Sequence, residues 1–184
     1  MEDIRRWSSP LPTDDGVSLL ALSVIEVLEN SNDKKLGFKQ GRETHLRMPL
    51  NDYQQLCELL KNKIELVDAT EIIRQQCMLK SEIEIDKIRY TAQCASDVFE
   101  SPSSFAQIGM KAEEVFRAFK IACLNAGVDD VSFRVGGTDR DGYDDIILPP
   151  SSRVLTKVDV LILDSGCTYD GYFCDFDRNY GVDR

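Results

Sequence analysis

Up to Gly127 the apolar residues of this chain recur mainly at helical spacing, and from Val131 onward they alternate as strands do. Val17, Leu20, Val24, Val27 and Leu28 mark a first helix through GVSLLALSVIEVLENS, with Asp14 and Asp15 placed to cap it. A short strand, KLGFK, follows. Asn51 and Asp52 open a second helix, NDYQQLCELLKNK, with Tyr53, Leu56, Leu59 and Leu60 on one face, and IELV is a second short strand. Asp68 with Glu71, and Ser81 with Glu84, have the spacing of capping boxes. Behind Ser81 the positions Ile85, Ile88, Ala92, Ala95 and Phe99 predict a long amphipathic helix over 82–99. SPSS interrupts it. KAEEVFRAFKIACLNAG predicts a further helix that buries Val115, Phe119, Ala122 and Ala126 and stops at Gly127. The strand-rich part then reads VSFRVGG, a Gly/Asp-rich loop TDRDGYDD, an apolar IILPP and a final hairpin.

This order predicts an α+β protein. Residues 1–72 form a small α/β lobe without a glycine-rich phosphate loop, 73–81 connect, and 82–184 form a second region of helices packed on antiparallel strands.

Charge narrows the function. With 22 Lys plus Arg against 32 Asp plus Glu, the net charge of -10 argues against a nucleic acid or an anionic membrane as partner and favours cations. The six cysteines include no C-x-x-C pair and fall in apolar patterns, which suits reduced, packed thiols. The N-terminus has no apolar core of signal-peptide length, and no run approaches the length of a membrane span. A cytoplasmic location is the expectation.

Chemistry concentrates in LDSGCTYDGYFCDFDRNYGV. Asp170-Gly171 is the pair most favoured in a two-residue hairpin turn. Counting back from it pairs Tyr169 with Tyr172, Gly166 with Asp175 and Asp164 with Asp177, which sets Asp164, Asp175 and Asp177 on one face. Two readings follow: a solvated acidic hairpin, or carboxylates gathered around one or two divalent ions. The apolar VLIL before Asp164 makes mere solvation less comfortable. By the same alternation Cys174 points to the core, and Arg178 turns away from Asp177 to pair with another carboxylate.

These residues resemble the first metal-binding hairpin of the creatinase, prolidase and methionine aminopeptidase family, the pita-bread metalloenzymes. There an Asp-x-Gly is followed eleven residues on by a second Asp, the separation of Asp164 and Asp175. PSSRVLTKVD resembles the family's P-x-x-R-x-L-x-x-G-D, LKSEIEIDKIRYTAQCASDVF its K-S-x-x-E-I-x-x-I-R helix, and KLGFKQGRETHLRMPLNDYQQLCELL the end of its N-terminal domain. The resemblance implies a partial pita-bread catalytic domain behind the remnant of a small N-terminal domain. It implies a site for two divalent ions (manganese, cobalt, zinc or iron) with Asp164 and Asp175 as ligands, a small-molecule or peptide substrate, and a homodimer in the complete protein. The reaction implied is hydrolysis of a peptide or related C–N bond by a metal-activated water, as in prolidase or aminopeptidase P.

Departures from the family pattern accompany it. The remaining ligands implied, a His and two Glu, belong to a second half that these 184 residues do not include, so the chain reads as a segment of a longer protein. Ile147 stands where family peptidases carry a substrate-side His, and the only histidine, His45, lies in the first lobe with a surface or locally bonded role. Asp177 replaces a threonine and is a candidate extra ligand or base; Val158 replaces a glycine before Asp159. Tyr143, Asp144 and Asp145 read as a solvated acidic turn. YDDIILPPS and YFCDFDRN also resemble the dimethylsulfoniopropionate lyase branch, so a carbon–sulfur lyase is the alternative reaction, and a non-catalytic fragment the alternative to an enzyme.

Overall fold

The helices form where apolar residues stand one turn apart, but the stripe each buries differs from the one the spacing marks out; in the helix Ala112–Ala126, Ala122 and Ala126 are only half-buried. The structure, a computed structural model, describes residues 4–6, 16–140, 145 and 147–182. Asp14, Asp15, Tyr143 and Asp144 lie outside the described residues. The chain divides into two compact units, Met1–Leu79 and Lys80–Arg184.

In the first unit, α1 (Gly16–Leu28) and α2 (Leu50–Leu60) pack together, and β1 (Lys35–Phe38) runs parallel to β2 (Glu65–Asp68). The expected face of α1 is only partly right. Ala21 is its buried residue and Val17, Val24 and Leu28 pack beside it, whereas Leu20 and Val27 are exposed. Ala21 lies four residues after Val17 and three before Val24, so the seam passes through it. In α2, Leu56 and Leu60 are fully buried, each worth about 1.5–3 kcal/mol. That helix begins at Leu50 behind Pro49, not at Asn51.

The capping box expected at Asp68 and Glu71 does not form. Asp68 Oδ1 accepts instead from the amides of Thr70 at 2.8 Å and Gln40 at 3.2 Å, tying the ends of the two strands together. Helix α3 (Thr70–Met78) starts at Ala69 without a side-chain cap and occupies most of the segment expected to be a connector.

In the second unit, α4 (Glu82–Phe99) and α5 (Ala112–Ala126) cover one face of an antiparallel sheet of order β3-β4-β5. Its strands are Asp130–Asp139, Val160–Tyr169 and Tyr172–Gly181. The Ser81 capping box is present: the Ser81 amide donates to Glu84 Oε2 at 2.6 Å and Ser81 Oγ accepts from the Glu84 amide at 3.4 Å. Beyond the first turns the buried seam of α4 is Thr91, Cys94, Ala95, Val98 and Phe99. That of α5 is Ala112, Val115, Phe116, Phe119 and Cys123, ending at Gly127 in the left-handed region. Phe99, Phe105 and Phe119 meet in this core, with ring centroids 4.8 and 5.2 Å apart. Leu161, Leu163 and Cys167 of β4 press on it from the sheet.

The apolar IILPP does not form a strand where it is described; Ile147 and Leu148 are exposed. The next segment does structural work. Carbonyls of Arg153 and Ser151 accept from the amides of Ala112 and Glu113, which satisfies donors that the start of α5 leaves open. Leu155 is buried and bonded to Gly109 and Met110.

Asp159 is a buried carboxylate that accepts from Arg153 Nη2 at 2.9 Å, the Thr156 amide at 2.8 Å and Thr156 Oγ1 at 3.0 Å. Burial pushes its carboxyl up, and the Thr156 hydrogen bonds with Arg153 outweigh it, leaving it below the ordinary value. Arg153→Met removes a partly exposed partner from a buried carboxylate that keeps its Thr156 hydrogen bonds, and should cost about 1–3 kcal/mol in urea unfolding; an unchanged midpoint contradicts this account. Val158, just before it, has φ 64°, a region where a β-branched residue is strained. Val158→Gly relieves about 1–2 kcal/mol of strain against about 0.5–1 kcal/mol of added chain entropy. The variant should melt slightly above the parent, and a lower melting temperature counts against strain at this turn.

Candidate metal centre

The hairpin of β4 and β5 has the register read from its turn. Asp170 and Gly171 take φ of 47° and 80°, as a two-residue turn with both central residues left-handed requires. Tyr169 pairs with Tyr172, Gly166 with Asp175 and Asp164 with Asp177. The turn is anchored from two sides. Lys87 Nζ lies 2.6 Å from Asp170 Oδ2, Tyr172 Oη donates to Glu84 Oε1 at 3.2 Å, and the Asp170 amide donates to Asp129 Oδ2 at 2.6 Å.

Alternation then sorts the side chains. Leu161, Leu163, Ser165 and Cys167 of β4, with Cys174 of β5, are buried on the helix side. Asp164, Asp175 and Asp177 share the opposite face, Asp164 half-buried and the other two exposed. Burial, then the charges of Asp175 and Asp177, push the Asp164 carboxyl above its ordinary value; a hydrogen bond from the Ser165 amide works the other way. A carboxylate crowded by two others is stabilised by a cation. Carboxylate oxygens are hard donors that suit manganese, cobalt, zinc or iron, so the residues fit part of a divalent-ion site. Among the described residues no group of three His, Cys, Asp or Glu side chains is gathered tightly enough to hold an ion by itself.

The thiols serve the other side. Cys123, Cys167 and Cys174 are buried together, and hydrogen bonding to Cys123, with burial, pushes the Cys167 thiol up to about 12. Cys174 is raised too, by its hydrogen bond with Cys167 and by burial. Both stay protonated at neutral pH, which suits packing and not nucleophilic attack or metal ligation.

Among the described residues Arg178 has no carboxylate partner, the pairing expected of it. Its Nη1 donates to the Asp177 carbonyl at 2.6 Å, and its guanidinium lies 5.9 and 5.5 Å from the ring centroids of Phe99 and Phe176. It belongs to the helix side, where aromatic faces attract it. Asp145 Oδ1 accepts from the Ile147 amide at 2.9 Å, a local turn, and Ile147 is 70% exposed. His45 lies in the first unit. Reading by motif passed over Phe133 and Phe173, although alternation alone puts Phe173 on the face of Asp175 and Asp177.

The raised Asp164 carboxyl has a pH signature. The unfolded chain releases this proton first, so its ionisation disfavours folding progressively as pH rises through the ordinary carboxylate value toward the folded one. Asp164→Asn should make the metal-free chain more stable than the parent at pH 7, with the difference shrinking toward pH 3. Equal melting curves at both pH values would remove the basis for crowding.

Among the described residues no helix is long and apolar enough to cross a membrane. Comparison with known proteins places residues 86–184 in Metallopeptidase family M24. The chain is 25% identical over 171 residues to the uncharacterized peptidase YqhT of Bacillus subtilis, covering 92% of this chain and 46% of that protein. It is 30% identical over 118 residues to the probable dipeptidase PepE of Mycobacterium bovis, covering 62% of this chain and 30% of that one. Its fold is similar to the solved Xaa-Pro dipeptidase of Bacillus anthracis, with a TM-score of 0.76, 23% identity, and coverage of 94% and 45%. The chain thus spans less than half the length of each of these relatives, and all three are named as peptidases or dipeptidases. With more than half its residues matched, and with the pita-bread relationship borne out, this chain belongs to metallopeptidase family M24.

Proposed function

We propose that the complete protein is a divalent-metal-dependent peptidase in which Asp164 and Asp175 are ligands to the ions, and that its substrates are short peptides of the Xaa-Pro kind. The observation that carries this reading is the register that sets the two carboxylates on one face of the hairpin, with Asp164 crowded and half-buried. The hydrolase reading is supported by the family and by the names of the relatives, a dipeptidase and an Xaa-Pro dipeptidase. A pair of bound divalent ions would supply an acidified water able to attack a carbonyl near neutral pH.

The residues divide the remaining work. Asp164 and Asp175 hold positive charge at the face. Asp177, directly opposite Asp164, is the candidate for a further ligand or for a base that accepts a proton within hydrogen-bond reach. Ile147 offers no proton where family peptidases place a histidine, so substrate orientation falls to other groups. Two carboxylates hold an ion only weakly, and the His and two Glu that the resemblance implies would come from chain beyond these residues.

Equilibrium dialysis of the complete protein against Mn²⁺, beside Asp164→Ala and Asp175→Ala, tests the ligand assignment. Each substitution should weaken binding by more than about 10-fold. Binding that survives both places the ion elsewhere. For the complete protein, Mn²⁺-dependent release of free proline from Xaa-Pro dipeptides is the expected activity, and metal-loaded protein inert toward all such peptides overturns the substrate class.

A further inference from the structure

Gly166 pairs with Asp175 on β5 and with Phe133 on β3. A methyl group there would come within 2.2 Å of Phe173 Cζ and 2.4 Å of Phe133 Cε1, so both rings lie over the bare backbone. Their centroids are 5.9 Å apart and their planes 31° from parallel. Neither ring belongs to the core between helices and sheet. Both stand on the carboxylate face, and Phe173, two residues before Asp175, keeps 44% of its surface exposed.

A large aromatic side chain left half in water needs a reason, because burying it against the helices would be more favourable. Rings laid over a glycine replace the side chain the glycine lacks and fix the neighbouring strands laterally. Here the strand so fixed carries Asp175. Apolar surface beside a carboxylate also excludes water, which strengthens the attraction of that carboxylate for a cation.

We propose that Phe173 is a positioning residue for the divalent-ion site: lying with Phe133 over Gly166, its ring holds β5 against β4 at Asp175 and walls the carboxylates from water on the side of the turn. The inference rests on Asp164 and Asp175 being ligands. It assigns Phe173 no contact with the ion.

Calorimetric titration of the complete protein with Mn²⁺ tests it, with a melting curve for every variant. Phe173→Ala should weaken Mn²⁺ binding by about 10-fold, and Phe173→Tyr, which keeps the ring, should restore the parent affinity. Val115→Ala truncates a fully buried core residue of the same unit and should lower the melting temperature without changing affinity. If Val115→Ala weakens binding as much as Phe173→Ala, the ring acts only through stability and the inference fails. If Phe173→Ala binds as the parent does while Asp164→Ala does not, the inference fails and the ligand assignment stands. If Asp164→Ala itself binds as the parent does, the ligand assignment fails, and this inference with it.

Discussion

A strand residue can face only one of two ways, and that restriction organises the second unit. Leu161, Leu163 and Cys167 of β4 and Cys174 of β5 are held against α4 and α5, so the residues between them must face the other side. A slip of β5 by one residue against β4 would turn Asp175 and Asp177 toward the aromatic core and Cys174 outward. The cost of burying those two carboxylates next to Phe99 and Phe119 makes that alternative inaccessible. The carboxylates are brought together by the core behind them, against their own repulsion.

The start of β4 is secured separately. Arg153, partly exposed, pairs with the buried Asp159, the carbonyls of Ser151 and Arg153 cap α5, and the Val158 and Val182 amides tie the beginning of β4 to the end of β5. The P-x-x-R-x-L-x-x-x-D spacing therefore records a scaffold: Arg153 neutralises Asp159, and Leu155 plugs the core above them. None of the three belongs to the carboxylate face; they hold the entry to the strand that carries Asp164.

Much of this was legible in the residues. The Asp170-Gly171 turn fixes a register by counting, and the capping box at Ser81 and the stop at Gly127 are local chemistry that tertiary packing did not override. What failed depended on partners distant in sequence. Asp68 was read with Glu71, but Gln40 and Thr70 supply its hydrogen bonds. Leu20 and Val27 have helical spacing as good as that of Ala21, and only the placement of α2 decides among them. Charge is visible in a sequence and points Arg178 to a carboxylate, whereas the rings of Phe99 and Phe176 that receive it come together only in the fold. For the carboxylate face, the aspartates were identified by spacing, while the two phenylalanines over Gly166 carry no motif.

Glu84 serves two ends of the second unit at once, closing the first turn of α4 and accepting from Tyr172 across 88 residues of chain. A growing polypeptide therefore exposes the helix start long before the strand that completes its bonding has been synthesised. Loop closure over such a separation is slow compared with helix formation. The contact between the acidic hairpin and α4 therefore has to close across most of the second unit.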